Sequence, residues 1–349
     1  MTEPVRVAVV GFGYWGPNLV RNFVEHEGAE VAYVCDRDQA ALDRATRRFP
    51  WLRTTTAYDL VLGDKAVDAI AIATPVSTHG FLAGDALRAG KHVLVEKPLA
   101  ASAAEALDLL ELARRRDLVL MPGHTFLYSP PVNLVREYIT SGELGEIFFI
   151  STSRVNLGLH QPDVSVAWDL APHDFSILRY WLGERPTTVN AISRCCIIPA
   201  VPDIAFVNLG FPSGTIAHVE LSWLAPSKLR RTTVVGSRKM VVYDDTSSEP
   251  VRLFDSGAAL RDPQSFGEYR MTYRTGSIIS PRVEPVEPLL VEVGDFVQSV
   301  RTGCAPRSNA ELGLDVVLTI EAAERSLAAG GVPVDVERPS TLLLSARSR

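Results

Sequence analysis

The stretch VRVAVVGFGYWGPNLVRNFVEH, residues 5–26, decides the fold. Its first six residues are mostly β-branched and apolar, which predicts a buried strand ending at Gly11. The run NLVRNFVEH that closes it has the apolar spacing of one helical face. Between them lies GFGYWG, a G-x-G-x-x-G loop whose glycines permit a tight turn and let a phosphate approach the backbone. The stretch therefore predicts a strand, a glycine-rich loop and a helix.

The alternation of strand and helix continues to about residue 120. Further apolar strands are predicted at VAYVCD (31–36), VDAIAIATP (67–75), KHVLVEKP (91–98) and LVLMPGH (118–124), with helical runs between them. Continuous apolar strands separated by helices indicate a parallel sheet covered on both faces. The fold class predicted for this half is α/β, a doubly wound Rossmann sheet that binds its ligand at the carboxyl ends of the strands.

The glycine-rich loop predicts the cofactor. Asp36 ends the second strand 20 residues after Gly16, and a carboxylate there accepts the ribose hydroxyls of NAD and repels the 2′-phosphate of NADP. NAD is therefore predicted over NADP, although the neighbouring Arg37 weakens the preference. The alternative is a structural glycine turn followed by a surface aspartate.

The other strand ends complete the predicted cofactor site. Thr74-Pro75 and His79 follow the third strand of the alternation, and Glu96-Lys97-Pro98 closes the next. Lys97 is placed where cofactor and substrate meet, and a lysine there stabilises a developing oxyanion; the alternative is a lysine that merely extends from a strand end into solvent. The predicted cofactor-binding residues are Gly11, Phe12, Gly13, Tyr14, Trp15, Gly16, Asp36, Arg37, Thr74, Pro75, His79, Glu96, Lys97, Pro98 and His124.

Composition limits the class of protein. The chain has 349 residues, 46% hydrophobic and 22% charged, which suits a globular protein with two domains. A net charge of −6 argues against nucleic-acid or anionic-membrane binding, which needs a basic face. No apolar run approaches the ~20 residues of a membrane span, and VRVAVVG resembles a strand more than a signal peptide. The four cysteines form no C-x-x-C pair and no metal site, so we expect a cytoplasmic protein with reduced thiols.

The second half is rich in β-strand patterns. EIFFISTSRVNL, TTVNAISRCCIIP, DIAFVNLGF and TIAHVELSWL are punctuated by glycine, proline and asparagine, which predicts an α+β domain with a large, mostly antiparallel open sheet. The boundary is predicted near Pro122–Gly123, giving a dinucleotide-binding domain over 1–122 and a domain for substrate binding and oligomerisation over 123–349.

These motifs together resemble the Gfo/Idh/MocA family of NAD(P)-dependent oxidoreductases. The resemblance is carried by GFGYWGPN and VLVEKPLA, and it extends through residues 123–147, 153–158, 168–183 and 287–327. It is strongest to members that act on nucleotide sugars, of the UDP-N-acetylglucosamine 3-dehydrogenase type. It implies a homodimer or homotetramer formed through the open sheet.

The resemblance also implies the catalytic residues. Asp169 and His173, in DLAPHD, lie one helical turn apart, and histidine takes and returns protons near neutral pH. A D-x-x-x-H pair by itself is better explained by a helix cap, but the family likeness implies a proton-transfer pair acting with Lys97. The implied reaction is hydride transfer between a secondary hydroxyl or ketone of a sugar, with C3 as the expected carbon, and nicotinamide.

Further residues are predicted to bind substrate. Arg154 and Asn156 lie in the family-like SRVNLG, and His160 lies in the polar loop LHQPD. Arg270, Tyr273 and Arg274 lie close together, and an arginine fork suits a diphosphate; a surface loop or an oligomer contact explains them equally well. Two alternatives to the sugar reaction stay open: a ketoreductase or cyclitol (or other non-sugar) dehydrogenase of the same fold, and a non-catalytic NAD-binding regulator.

Overall fold

A computed structural model describes residues 3–158, 160, 164–260 and 271–337 of the chain. The chain divides into two compact units. The first comprises Met1–Ser129 and Val286–Val317, and the second comprises Pro130–Pro285 and Leu318–Arg349. The sequence predicted a single boundary near residue 122, and it did not predict that Val286–Val317 belong to the first unit.

The helices and strands follow one another along the chain as expected for an α/β half and a β-rich half. The strands are β1 (Val5–Val10), β2 (Ala29–Cys35), β3 (Arg53–Thr55), β4 (Ala69–Ile72), β5 (His92–Glu96), β6 (Leu120–Gly123), β7 (Ile147–Val155), β8 (Thr188–Arg194), β9 (Ile204–Gly210), β10 (Ile216–Ser222), β11 (Leu229–Gly236), β12 (Met240–Asp244), β13 (Val251–Leu260), β14 (Met271–Ile279) and β15 (Val334–Asp335). The helices are α1 (Gly16–Glu25), α2 (Gln39–Arg48), α3 (Tyr58–Gly63), α4 (His79–Arg88), α5 (Ala103–Arg116), α6 (Pro130–Thr140), α7 (Val166–Leu182), α8 (Pro288–Thr302) and α9 (Ala310–Ala328).

The first unit is built on a six-stranded sheet. Its strand order is β3-β2-β1-β4-β5-β6, and every neighbouring pair is parallel. The order reverses between β1 and β4, so the carboxyl ends of β1, β4 and β5 form the crevice in which such sheets bind ligands. All four residues of β4 are buried, as expected for a strand covered on both faces. The predicted doubly wound Rossmann sheet is confirmed.

The second unit is built on a nine-stranded sheet. Its order is β14-β13-β12-β11-β7-β10-β9-β8-β15, in which β7 and β10 are parallel and the other pairs are antiparallel. Helix α7 packs against β7, β9 and β10, and α6 packs against β12. The predicted mostly antiparallel sheet is confirmed.

Helix α7, which carries the predicted proton-transfer pair, begins and ends at defined caps. The Ser165 hydroxyl accepts a hydrogen bond from the Trp168 amide at 3.4 Å, and Gly183 ends the helix with a left-handed φ of 70°. Among the described residues, no helix is both long and apolar enough to cross a membrane.

Candidate active site

The glycine-rich loop has the form of a phosphate cradle. Gly11 has a φ of +96°, and a Cβ there would overlap the Ala73 carbonyl; a Cβ on Gly16 would overlap the Gly11 carbonyl. These two glycines are required by the turn itself. At Gly13, by contrast, a Cβ would meet no described atom within 4 Å. The loop therefore leaves open space at the position where the motif admits a pyrophosphate.

The start of helix α1 supports the same function. Trp15 occupies the N-cap position and caps no amide with its side chain. Pro17 has no N–H, and the Asn18 amide already donates to the Trp15 carbonyl at 2.9 Å. The helix start therefore offers an anion chiefly the positive end of its dipole. Tyr14 is 94% exposed, whereas Phe12 is buried. These features fit the pyrophosphate of NAD, which would lie on the backbone of the loop.

Asp36 lies at the end of β2 and is tied to this loop. Its Oδ2 accepts a hydrogen bond from the Phe12 amide at 2.6 Å, and its Oδ1 accepts one from the Asp38 amide at 2.9 Å. These bonds fix the carboxylate beside the cradle, where it can still accept hydroxyl groups through its remaining lone pairs. Arg37 is exposed.

The residues that follow β4 hold the neighbouring strand ends together. His79 is 1% exposed; its Nδ1 lies 2.8 Å from the Pro98 carbonyl oxygen and its Nε2 lies 2.9 Å from the Thr74 carbonyl oxygen. Burial lowers the pKa of His79, and the two carbonyl contacts oppose that change. His79 is thus buried between the residues that follow β4 and β5, and its contact with the cofactor stays a prediction. Thr74 and Pro75 are at least partly exposed.

Glu96, Lys97 and Pro98 form the end of β5, and the Lys97–Pro98 peptide bond is cis. The Glu96 carboxyl lies against Gly123 on β6, because a Cβ on Gly123 would be 3.1 Å from Glu96 Oε2. Burial raises the pKa of Glu96 to about 7, with the Lys97 charge acting in the opposite direction. Lys97 therefore follows directly on a residue whose carboxyl is buried.

His124 and Glu292 add two buried ionisable side chains to this end of the sheet. His124 is 1% exposed, and burial together with the Lys97 charge lowers its pKa to about 3. Glu292, on α8, is 0% exposed; burial and then the charge of Glu96 raise its pKa well above the usual range. At neutral pH His124 is uncharged, and Glu292 retains a proton more readily than an exposed glutamate.

The predicted proton-transfer pair lies on helix α7. Asp169 and His173 are four residues apart within the helix, so they lie on one face. From Ala171 to Leu178 every residue except His173 is buried. Asp169 Oδ2 accepts a hydrogen bond from the Trp223 indole at 3.1 Å. Both side chains are therefore partly exposed, on a helix that is buried over most of its length.

The residues predicted to bind substrate have diverse surroundings. Arg154 is 5% exposed and forms a bidentate ion pair with Asp174, from Nε at 2.7 Å and Nη2 at 3.1 Å. His160 Nε2 lies 3.9 Å from Asp203. Asn156 is partly exposed, and its backbone N–H donates to the Ser222 carbonyl at 3.1 Å.

Arg274 lies on an exposed part of β14. Its Nε pairs with Asp255 Oδ1 at 3.0 Å, and it donates to the Arg238 carbonyl. Arg270, predicted to form a phosphate fork with it, lies outside the described residues. The structure therefore gives Arg274 a surface ion pair with a neighbouring strand.

Two residues of these surroundings were missed from the sequence. Trp223 follows β10, and nothing in its spacing distinguishes a core tryptophan from one that bonds Asp169. Glu292 carried a detectable signal, because Leu289, Val293 and Phe296 place it on the apolar face of α8, where a carboxylate is unusual.

The chain belongs to the Gfo/Idh/MocA oxidoreductase family. Residues 5–124 match the family's NAD-binding Rossmann fold, and residues 132–242 match its C-terminal domain. The chain is therefore an oxidoreductase with an NAD-binding domain, and the alternative of a non-catalytic regulator is wrong. Among the described residues, no group of three or more His, Cys, Asp or Glu side chains is arranged to hold a metal ion.

Three relatives illustrate the range of the family. The chain is 34% identical over 262 residues to a dTDP-3,4-didehydro-2,6-dideoxy-α-D-glucose 3-reductase of Saccharopolyspora spinosa, covering 72% of this chain and 77% of the relative. It is 28% identical over 238 residues to the UDP-N-acetylglucosamine 3-dehydrogenase of Acidithiobacillus ferrooxidans, covering 66% and 71%. The crystal structure of GenD2 from gentamicin A biosynthesis, in complex with NAD, superposes with a TM-score of 0.82 at 26% identity, covering 97% and 98%.

Proposed function

We propose that this enzyme transfers hydride between a secondary hydroxyl or ketone of a nucleotide sugar, at C3, and NAD. Two relatives support the substrate class, because both act on nucleotide sugars at position 3, one as a reductase and one as a dehydrogenase. The observation that carries the proposal is the position of Lys97. It follows the end of β5, two strands from the glycine-rich loop after β1 in the sheet order, at the edge where Rossmann sheets bind their ligands.

Each of the three proposed catalytic side chains has a separate task. Lys97 donates a hydrogen bond to the reacting oxygen and stabilises the negative charge that develops on it. His173 removes the hydroxyl proton in oxidation and returns it in reduction. Asp169, one turn earlier on α7, orients the imidazole and stabilises the imidazolium. NAD, when bound, supplies the hydride acceptor or, reduced, the hydride donor.

The buried groups near Lys97 favour this assignment. An amine that must stay charged needs counter-charge or solvent when it lies near buried groups. Burial raises the pKa of both Glu96 and Glu292, whereas the charge of Lys97 lowers the pKa of Glu96. A substrate oxygen that develops negative charge would supply a further partner for the lysine, most strongly in the transition state.

We further propose that the open sheet forms a homodimer or homotetramer. Phe149 and Ile216 pair across β7 and β10 and are 45% and 58% exposed, and Ile192 on β8 is 57% exposed. Large apolar side chains side by side on a solvent-facing sheet are typical of a protein interface.

The substrate is tested by absorbance at 340 nm with NAD and a panel of UDP-, TDP- and GDP-sugars, free sugars and inositols. We expect NADH formation with one nucleotide sugar. Lys97→Ala and His173→Ala should each lower the rate about 10²- to 10⁴-fold, and exposed Lys65→Ala should not. Turnover of an inositol or of free sugars alone would overturn the substrate class, and near-full turnover in both site variants would overturn the residue assignment.

A further inference from the structure

Trp223 is held rigidly by the backbone around it. Its amide donates to the Asp203 carbonyl at 3.0 Å, and its own carbonyl accepts from the Gly158 amide at 2.9 Å. The indole packs against Gly158, since a Cβ there would lie 3.0 Å from Trp223 Cδ1. With 1% of its surface exposed, the ring is fixed by the segments that precede β9 and follow β7.

The indole N–H of Trp223 contacts one of the proposed catalytic side chains. Its Nε1–H donates to Asp169 Oδ2 at 3.1 Å. An indole has one donor and no acceptor, so the ring can only donate to the Asp169 carboxylate. A tryptophan that only filled the core would need a partner for its N–H but not this partner.

We propose that Trp223 is a positioning residue for the reaction, holding Asp169 in one rotamer so that the carboxylate can orient His173. This inference rests on the proposed function, because it gives Asp169 and His173 the roles described there. Aspartate has two rotatable side-chain bonds, and an N–H donor fixed from a separate element removes that freedom at no cost during the reaction. Trp223 itself touches neither substrate nor cofactor in this account.

Other ionisable side chains are described near Trp223 and the start of α7. His160 lies beside the indole, with ring centroids 5.3 Å apart and an interplanar angle of 57°, and Asp203 lies 3.9 Å from His160. Arg154 on β7 forms the bidentate ion pair with Asp174 of α7. Glu324 on α9 accepts a hydrogen bond from the Ser165 hydroxyl at 2.9 Å.

The chain contains a matched control. Trp181 is also 1% exposed, and its Nε1–H donates at 2.8 Å to the Val132 carbonyl, away from Asp169. Trp223→Phe and Trp181→Phe each remove one indole donor from a buried site while keeping an aromatic ring. Both variants are compared with the wild-type enzyme by thermal melting and by kcat and KM in the oxidative direction.

We expect Trp223→Phe to lower kcat about tenfold with KM for NAD unchanged. Trp181→Phe should keep kcat within about twofold. A wild-type kcat in Trp223→Phe, or an equal fall in kcat in both variants, would overturn the inference.

Two further measurements separate the possible failures. If Asp169→Asn and His173→Ala keep full turnover, the proposed function falls and this inference with it; if they are inactive while Trp223→Phe is normal, the inference alone falls. Should Trp223→Phe not fold, the indole N–H resonances of the ¹⁵N-tryptophan-labelled full chain decide. One of the five should shift in Asp169→Asn, and unchanged resonances would overturn the inference.

Discussion

Replacing Glu96 by glutamine should change how the stability of the protein depends on pH. The Glu96 pKa is 4.5 in an unfolded chain and about 7 in the folded protein, chiefly because its carboxyl is buried. The folded protein therefore holds this proton more tightly than the unfolded chain does. The stabilisation is fully present below pH 4.5 and is lost as the pH rises through 7.

The size of this effect follows from the shift. A difference of about 2.5 pKa units, from 4.5 to about 7, corresponds to about 3 kcal/mol of unfolding free energy at ~1.4 kcal/mol per unit. Glu96→Gln keeps the shape of the side chain and cannot ionise. The variant should therefore not lose this unfolding free energy as the pH rises. Its free energy of unfolding should therefore rise relative to that of the wild type between pH 4.5 and 7, and the difference should be constant above that range.

Urea unfolding at pH values from 4 to 8 measures the difference curve directly. A pKa shift that both proteins share, such as that of His124, cancels from the difference curve to a first approximation. Glu292→Gln should also raise the free energy of unfolding relative to the wild type as the pH increases. Exposed Glu249→Gln, which removes a carboxyl from the solvent-facing surface, serves as the control. A flat difference for Glu96→Gln would refute the assignment of Glu96 as a buried carboxyl with a raised pKa.

Three further predictions concern the cofactor loop and the open sheet. Gly13→Ala should raise the NAD dissociation constant, measured by calorimetric titration, by about tenfold or more without changing the melting temperature, because its Cβ occupies open space. Gly16→Ala should instead lower the melting temperature, because its Cβ overlaps the Gly11 carbonyl. An unchanged dissociation constant in Gly13→Ala would contradict the phosphate cradle. Asp36→Ala should reduce the preference for NAD over NADP by about tenfold in kcat/KM, and an unchanged ratio would show that Asp36 serves only the loop. Phe149→Asp should shift light-scattering mass toward the monomer, while Tyr14→Asp should not, since Tyr14 is exposed but lies on the cofactor loop; an unchanged mass would contradict an interface on this face.

Local patterns were sufficient for the first unit and less so for the site. Strands β4 and β5 are short apolar runs. Pro75 follows β4 and Glu96-Lys97-Pro98 closes β5, and these signals depend only on nearby residues. The return of α8 to the first unit depends on packing across more than 150 residues of chain, for which periodicity gives no signal.

The same limit applies to individual side chains. His79 and Arg154 were predicted as contacts for cofactor and substrate because of their types and positions. In the structure His79 braces two carbonyl groups and Arg154 pairs with Asp174. Both roles satisfy buried polar groups, and which carbonyl or carboxylate comes close is set by tertiary packing alone.

The central claim, direct hydride transfer between a sugar carbon and NAD, is tested most directly with isotope. The nucleotide sugar that turns over is prepared with deuterium on its carbinol carbons, and the dinucleotide and sugar are analysed by mass spectrometry after a single turnover. The account predicts reduced NAD one mass unit heavier and a keto sugar one deuterium lighter, both formed far more slowly in His173→Ala. Deuterium that stays in the sugar or exchanges with water, without reduced NAD, would contradict it.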